Sequence, residues 1–209
     1  MQNSAFIAKV KERITVKIAI SLFALVLLIV SNVYYITQII TESIQPVLAT
    51  WILFCVAVSL SLRTYLSSKN SELLGNIANA SDFLYVWTVL ACILLFGRNV
   101  RIGFTTFEYA CLGATGGILV YWLITKKHAM SNIALQTIMT VAYFPMFIHL
   151  WFAQSNTESL VAWVIAWIAG GFALASSILY RRNLGILYAS RAFILMTGVI
   201  LLILRLKFR

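Results

Sequence analysis

Seven long apolar runs dominate this sequence, and each is long enough to cross a lipid bilayer as a helix. A spanning helix needs roughly 20 mostly apolar residues, and the runs are 18 to 25 residues long. Because backbone polar groups find no water inside a bilayer, such runs are expected to form helices. The predicted helices are 15–39, 48–65, 73–96, 107–124, 133–152, 160–179 and 184–204. The chain is therefore predicted to be an all-α membrane protein with seven transmembrane helices.

The composition excludes the common soluble classes. Hydrophobic residues make up 62% and charged residues 11% of the 209 positions, whereas soluble domains are about half apolar and a quarter charged. The net charge of +10 does not indicate a nucleic-acid partner, because the basic residues are scattered singly or in pairs between the apolar runs. They are better explained as topology signals and as contacts to anionic lipid headgroups.

Residues with catalytic or metal-binding chemistry are not grouped in the sequence. The three cysteines, Cys55, Cys92 and Cys111, all lie in apolar runs and indicate neither a disulfide framework nor a metal site. No His, Cys, Asp and Glu residues have metal-ligand spacing, and no glycine-rich phosphate loop is present. We therefore expect no enzyme, no metal and no cofactor.

The Lys and Arg residues between the helices predict the orientation of the chain. Ten of them fall on the side of the N-terminus and five on the opposite side, which favours a cytoplasmic N-terminus. The ten are Lys9, Lys11, Arg13, Lys17, Arg63, Lys69, Lys126, Lys127, Arg181 and Arg182, and the five are Arg98, Arg101, Arg205, Lys207 and Arg209. Segment 1–14 is then a basic cytoplasmic segment and 205–209 a basic tail. A plasma membrane or a bacterial inner membrane is expected.

The two halves of the chain repeat a pattern. Thr41-Glu42-Ser43 and Thr157-Glu158-Ser159 each form a polar step before a helix with a tryptophan near its start. The third helix of each half matches over a longer stretch, where Ala80-Ser81 corresponds to Ala189-Ser190. We interpret 15–96 and 133–204 as two parallel three-helix repeats. The linker helix 107–124 between them lets both repeats cross the bilayer in the same direction.

This three-one-three arrangement resembles the SWEET sugar transporters and the wider PQ-loop superfamily, to which the nicotinamide riboside transporters are similar in architecture. The local match is LQTIMTVAYFPMFIHLWFAQSNTESLVAW, residues 135–163, with a proline in mid-helix, a polar loop and a tryptophan-bearing helix. The resemblance implies two parallel repeats around a central substrate cavity. The resemblance in architecture covers the whole chain, whereas the resemblance in sequence motifs covers helices five to seven.

The chain departs from the family pattern at three places. Pro145 is followed by Met146 and not by Gln, and Ile36 stands where a proline is expected in the first helix. In SWEETs, tryptophans and asparagines of the second, third, sixth and seventh helices line the pocket. Here no asparagine lies deep in the third or seventh helix, and Asn79 is the nearest.

Asp82 and Arg191 are the strongest candidates for function. They occupy corresponding positions in the third helices of the two halves, several residues into an apolar run. A lone charge there costs at least roughly 2.5–3.5 kcal/mol on insertion scales. We hypothesise that they form an ion pair across the central cavity, or that Arg191 binds an anion with Asp82 nearby. The alternatives are a static structural pair, or two side chains that extend to the cytoplasmic interface.

Pro145 and Gln136 lie in the fifth helix. Pro145 removes one backbone hydrogen bond and kinks the helix; the family resemblance implies a hinge, and the alternative is a static kink. Gln136 is a candidate to bind substrate, or else to hydrogen-bond a neighbouring helix.

Four tryptophans are candidates for stacking on a substrate ring. Trp51 and Trp163 stand near helix starts, where an interfacial aromatic belt is the ordinary explanation. We expect them in the belt. Trp87 and Trp167 remain candidates for the substrate site.

Two functions are compatible with these features. The first is a facilitator-like transporter of a small solute, with alternating access between the two repeats. The second is a non-transporting accessory or assembly subunit of a larger membrane complex. The sequence leaves open whether the chain forms a homo-oligomer or binds partner membrane subunits.

Overall fold

The computed structural model describes residues 2–68, 73–97 and 104–208, with side chains from residue 14 onward, and this part of the chain is all-helical. The helices are α1 (Gln2–Ile40), α2 (Leu48–Leu66), α3 (Ile77–Phe96), α4 (Thr106–Thr125), α5 (His128–Val141), α6 (Phe144–Phe152), α7 (Leu160–Leu179) and α8 (Asn183–Lys207). A short 3₁₀ turn, Leu73–Asn76, leads into α3. Seven helices of the described chain are long and apolar enough to cross a membrane, with α5 and α6 counted as one span. This confirms the predicted seven-helix, all-α chain.

Several basic residues used for the predicted orientation lie outside the residues that the structure describes. These are Lys69, Arg98, Arg101 and Arg209, together with the side chains of Lys9, Lys11 and Arg13. Helix α1 itself starts at Gln2, so segment 2–14 continues directly into the first span.

Polar caps fix several helix ends. Thr105 and Glu108 form a capping box at the start of α4, and the Ser159 hydroxyl accepts a hydrogen bond from the Ala162 amide at the start of α7. Both caps satisfy amides that the helix itself leaves unpaired. The Thr-Glu-Ser steps are therefore turns between helices.

Helix α1 packs against α3 and α7, α2 packs against α3 and α5, and α8 packs against α7. The α1–α7 contact includes a pair of phenylalanines, Phe23 and Phe172, and several small residues. The hydroxyls of Ser21 and Ser176 are 2.7 Å apart, and Ser31 donates a 2.8 Å hydrogen bond to the carbonyl oxygen of Ala162. Small and hydroxylated side chains allow helices in a membrane to approach closely.

Two loops meet at one end of the bundle. The backbone amide of Gln45, in the loop before α2, donates a 3.0 Å hydrogen bond to the carbonyl oxygen of Thr157, in the loop before α7. The two Thr-Glu-Ser steps therefore belong to loops that lie side by side and cover the same end of the core.

Candidate functional site

A cavity of about 60 Å³ lies among α1, α2, α3, α5, α7 and α8. This volume is several times the roughly 10–15 Å³ that is the minimum for one water molecule. Most of its lining is apolar, and six aromatic rings form much of the wall. These belong to Trp51, Phe54, Tyr85, Tyr143, Trp163 and Tyr188.

Asp82 and Arg191 both line this cavity. Among the described residues they do not approach within the 4.0 Å of an ion pair, so the direct pair that the sequence suggested is not formed. Tyr188 lies between them. Its hydroxyl donates a 2.8 Å hydrogen bond to Asp82 Oδ2, and the Arg191 guanidinium lies over its ring, 4.7 Å from the ring centre.

The order of residues along α8 explains this arrangement. Tyr188 and Arg191 are three positions apart, which places them on the same face of a helix. Gly185 lies one turn before Tyr188, and a Cβ atom there would overlap the carbonyl oxygen of Gly75. The missing side chain lets the start of α8 lie directly against the turn that leads into α3. The same contact brings the Tyr188 hydroxyl within reach of Asp82 on α3.

Arg191 keeps free hydrogen-bonding capacity. Its Nε and Nη1 atoms are buried and have no hydrogen-bond partner in the described chain. The residue as a whole is partly exposed, but buried donors without acceptors are costly. The cation–π contact with Tyr188 fixes the orientation of the group and leaves its donor edges unused.

Trp51 and Trp163 are not in an interfacial belt. They are 3% and 7% exposed, and both line the cavity. Trp51 stacks on Tyr85 with ring centres 6.0 Å apart and an interplanar angle of 11°, and Trp163 lies 6.4 Å from Tyr143. The prediction was wrong because both rings pack against aromatic side chains of other spans. Trp51 contacts Tyr35 and Tyr85, and Trp163 contacts Tyr35 and Tyr143.

Glu158 lies behind this aromatic wall, in the loop before α7. Its Oε2 atom accepts hydrogen bonds from the Tyr35 hydroxyl at 2.9 Å and from Trp163 Nε1 at 3.0 Å. The side chain belongs to a residue only 3% exposed, and burial raises the pKa of the carboxyl from 4.5 to about 7. The two hydrogen bonds lower the pKa, but by less than burial raises it. Its counterpart in the first half, Glu42, is exposed.

Three predicted site residues lie away from the cavity. Trp87 is 48% exposed and donates a hydrogen bond to Ser59. Trp167 stacks on Phe193 with ring centres 4.8 Å apart and donates to Thr197. Gln136 is buried and donates to Ser61 and Asn132, which places it in a polar contact between α5 and α2.

Pro145 marks a break in the fifth span. The helix is interrupted at Ala142 and Tyr143, between α5 and α6, and Pro145 stands in the first turn of α6. Pro145 also borders a surface groove of about 540 Å³ beside the start of α4. The break places Tyr143 in the cavity wall.

The tyrosines of the cavity were missed in the sequence. Tyr85 and Tyr188 lie in helices that are apolar on every side, so periodicity does not separate core from lipid faces, and Tyr143 lies in the break between α5 and α6. One signal was available, because Tyr188 stands one turn before the buried charge of Arg191 and can reach it.

Comparison of this chain with protein-family models, curated proteins and solved structures finds no match.

Proposed function

We propose that this protein transports a small solute across a membrane by alternating access between two parallel three-helix repeats. The observation that carries the proposal is an internal cavity with one acidic and one basic side chain in its wall. Ionisable groups inside a membrane protein are costly, and they commonly mark a substrate or ion pathway. Asp82 and Arg191 are the substrate-binding residues of the proposal.

The packing of the helices supports the repeat interpretation. The first span of one half packs on the second span of the other, as α1 on α7, and the reciprocal pair is α2 on α5. The third spans of the two halves, α3 and α8, also contact each other. If the two repeats, 15–96 and 133–204, are interchanged, each of these three helix contacts corresponds to another contact of the same set. The lining of the cavity comes from both halves, and helix α4 contributes none of it.

Alternating access requires one end of the cavity to be closed while the other opens. The two adjoining loops and the Tyr35–Glu158 hydrogen bond close the end that carries the Thr-Glu-Ser steps. The break before Pro145 divides the fifth span at the depth of the cavity. A hinge there lets α6 move toward the neighbouring groove while α5 stays packed on α2.

The proposal also includes the orientation of the chain and the kind of membrane that it spans. The N-terminus is cytoplasmic, and the basic residues contact anionic lipid headgroups on that side. Among the described side chains, Arg63, Lys126, Lys127, Arg181 and Arg182 lie at the helix ends on the N-terminal side. The membrane is a plasma membrane or a bacterial inner membrane.

The test is flux through purified protein in liposomes. Vesicles are incubated with a mixture of small metabolites, and mass spectrometry identifies those that equilibrate only when the protein is present. We expect protein-dependent flux that Asp82→Asn and Arg191→Gln each reduce at least about tenfold, with Trp87→Phe as the matched control outside the cavity.

The accessory-subunit function predicts the opposite result. Native mass spectrometry of the protein extracted in mild detergent would then find a stoichiometric assembly with unrelated membrane subunits. That result, together with the absence of flux, would overturn the transport proposal. A single chain or a homo-oligomer with a small non-lipid adduct supports transport.

A further inference from the structure

We propose that the cavity binds a small zwitterion, a molecule of about the size of alanine that carries one ammonium and one carboxylate group. This inference rests on the proposed transport function, since it names the substrate class for the same cavity. It is carried by the charges, the unused hydrogen-bonding groups and the size of the described cavity.

The described wall of the cavity carries one negative and one positive side chain, so its net charge is zero. Asp82 and Arg191 are the charged members of the lining, and the other lining side chains are aromatic or apolar. Tyr188 contacts both side chains, and Asp82 and Arg191 form no direct ion pair among the described residues. A buried charge is costly unless it is paired and hydrogen-bonded. A simple cation or anion would pair with one group and leave the other alone, whereas a zwitterion pairs with both.

The hydrogen-bonding groups that remain free match the two ends of such a ligand. Arg191 presents the buried and unpaired donors Nε and Nη1, which suit a ligand carboxylate. Asp82 uses Oδ2 to accept the Tyr188 hydroxyl, and no hydrogen bond to its other oxygen occurs among the described residues. That oxygen is available to an ammonium group. The aromatic wall adds favourable cation–π contacts for a positive charge.

The volume limits the size of the ligand. A space of about 60 Å³ is several times the minimum that one water molecule needs, so it suits a small molecule. Glycine and alanine have only five and six non-hydrogen atoms. A hexose has twice as many, so the cavity in this conformation favours a small zwitterion over a sugar ring.

A series of four probes of nearly equal size tests the charge requirement. L-Alanine has both charges, L-lactate replaces the ammonium by a hydroxyl, L-alaninol replaces the carboxylate by an alcohol, and propane-1,2-diol has neither charge. Isothermal titration calorimetry measures their binding to the wild-type protein in lipid nanodiscs, together with glycine, L-serine and glycine betaine. We expect at least one zwitterion to bind, and L-alanine to bind at least about 30-fold more tightly than any of its three analogues.

Two variants assign each charge to its residue. Asp82→Asn is expected to remove the preference for L-alanine over L-lactate, and Arg191→Gln the preference for L-alanine over L-alaninol. Trp167→Phe changes an aromatic side chain outside the cavity and is expected to keep both preferences. The wild-type probe series decides the proposal even where a variant does not fold.

The outcomes separate the ligand class from the transport function. Binding of L-lactate, L-alaninol or the diol as tight as that of L-alanine overturns the zwitterion proposal, and so does the absence of binding by all four zwitterions. Flux of an uncharged solute with no zwitterion binding overturns this inference and keeps transport. Zwitterion binding without flux keeps this inference and overturns transport.

Discussion

The hydroxyl of Tyr35 on α1 donates a 2.9 Å hydrogen bond to Glu158 Oε2 in the loop before α7. The same oxygen accepts a bond from Trp163, whose ring lines the cavity. No basic side chain pairs with Glu158 in the part of the chain that the structure describes. One buried carboxyl therefore joins two helices and the cavity wall, without an opposite charge to stabilise its ionised form.

The stability of the protein should depend on pH through Glu158. Burial raises the pKa of this carboxyl from 4.5 to about 7, so the folded state favours the protonated form. The resulting stabilisation is complete below about pH 4.5 and is lost as the pH rises to about 7. The loss is on the order of 3 kcal/mol. Thermal unfolding between pH 4.5 and 8 should show the wild type losing stability relative to Glu158→Gln.

A matched control is available in the first half of the chain. Glu42 occupies the corresponding position and is exposed, and Glu42→Gln is the variant to measure beside Glu158→Gln. Equal slopes for the wild type and Glu158→Gln would contradict the assignment to Glu158.

The Tyr35–Glu158 bond should contribute a measurable coupling energy. Tyr35→Phe removes the hydroxyl and leaves Glu158 with its bond from Trp163. A double-mutant cycle with Glu158→Leu, which removes the accepting oxygen, should give about 1–2 kcal/mol of interaction free energy, because the bond is buried and involves a carboxyl. The measurement is reversible unfolding at pH 8. Strict additivity of the two single effects would show that the bond does not stabilise the fold.

Pro145 should affect the rate of transport more than the affinity for solute. Pro145→Ala supplies the backbone N–H that proline lacks, which favours one continuous helix in place of α5 and α6. If the break is a hinge, flux should fall several-fold while binding changes little, because Pro145 does not line the cavity. Pro46→Ala, the same change in the loop before α2, is the control. Unchanged flux in Pro145→Ala would make the break a static kink.

The sequence predicted the spans well and the cavity in part. Runs of about 20 apolar residues leave the chain few alternatives in a membrane, and the proline indicated where the fifth span is interrupted. Asp82 and Arg191 could be predicted because a charge inside an apolar run is conspicuous. The aromatic residues that form the cavity wall around them could not be predicted. A tryptophan or tyrosine is equally acceptable facing lipid, an interface or the core, and contacts from distant helices decide which.

The polar residues show a similar limit. Gln136 could be singled out as polar within an apolar run, but its partner Ser61 comes from another helix, and so does Asn79, which also donates to Ser61. Three amides converge on Ser61, from Asn79, Asn132 and Gln136, at 3.0, 3.3 and 3.0 Å. Such a contact depends on how α2, α3 and α5 pack, which local sequence does not encode.

Ser61→Ala should therefore destabilise the bundle. The change removes the hydroxyl at which the three amides meet. Asn132 and Gln136 keep other acceptors, but the Asn79 amide loses the hydrogen bond shown for it, at a cost of about 1–3 kcal/mol. Ser190→Ala is the matched control, because the Ser190 hydroxyl bonds only to carbonyl oxygens of its own helix. Thermal unfolding of both variants in the same detergent measures the difference. Equal stability of the two variants would show that these amides find other partners.

Two glycine substitutions should have opposite effects on stability. A Cβ atom at Gly185 would overlap the carbonyl oxygen of Gly75, which is backbone and cannot rotate away. Gly185→Ala should force α8 from the turn before α3, with a loss of about 1–3 kcal/mol. A Cβ atom at Gly113, in the middle of α4, meets nothing within 4 Å. Gly113→Ala should be neutral or stabilising by up to about 1 kcal/mol, because alanine is the better helix former.

The same pair of variants tests how the cavity is assembled. Because Gly185 lies one turn before Tyr188, displacement of α8 should also weaken the hydrogen bond from Tyr188 to Asp82. Gly185→Ala should then lose solute flux even at temperatures where it stays folded, while Gly113→Ala keeps it. Normal flux in a folded but destabilised Gly185→Ala would mean that the cavity tolerates movement of α8, and that the close contact serves stability alone.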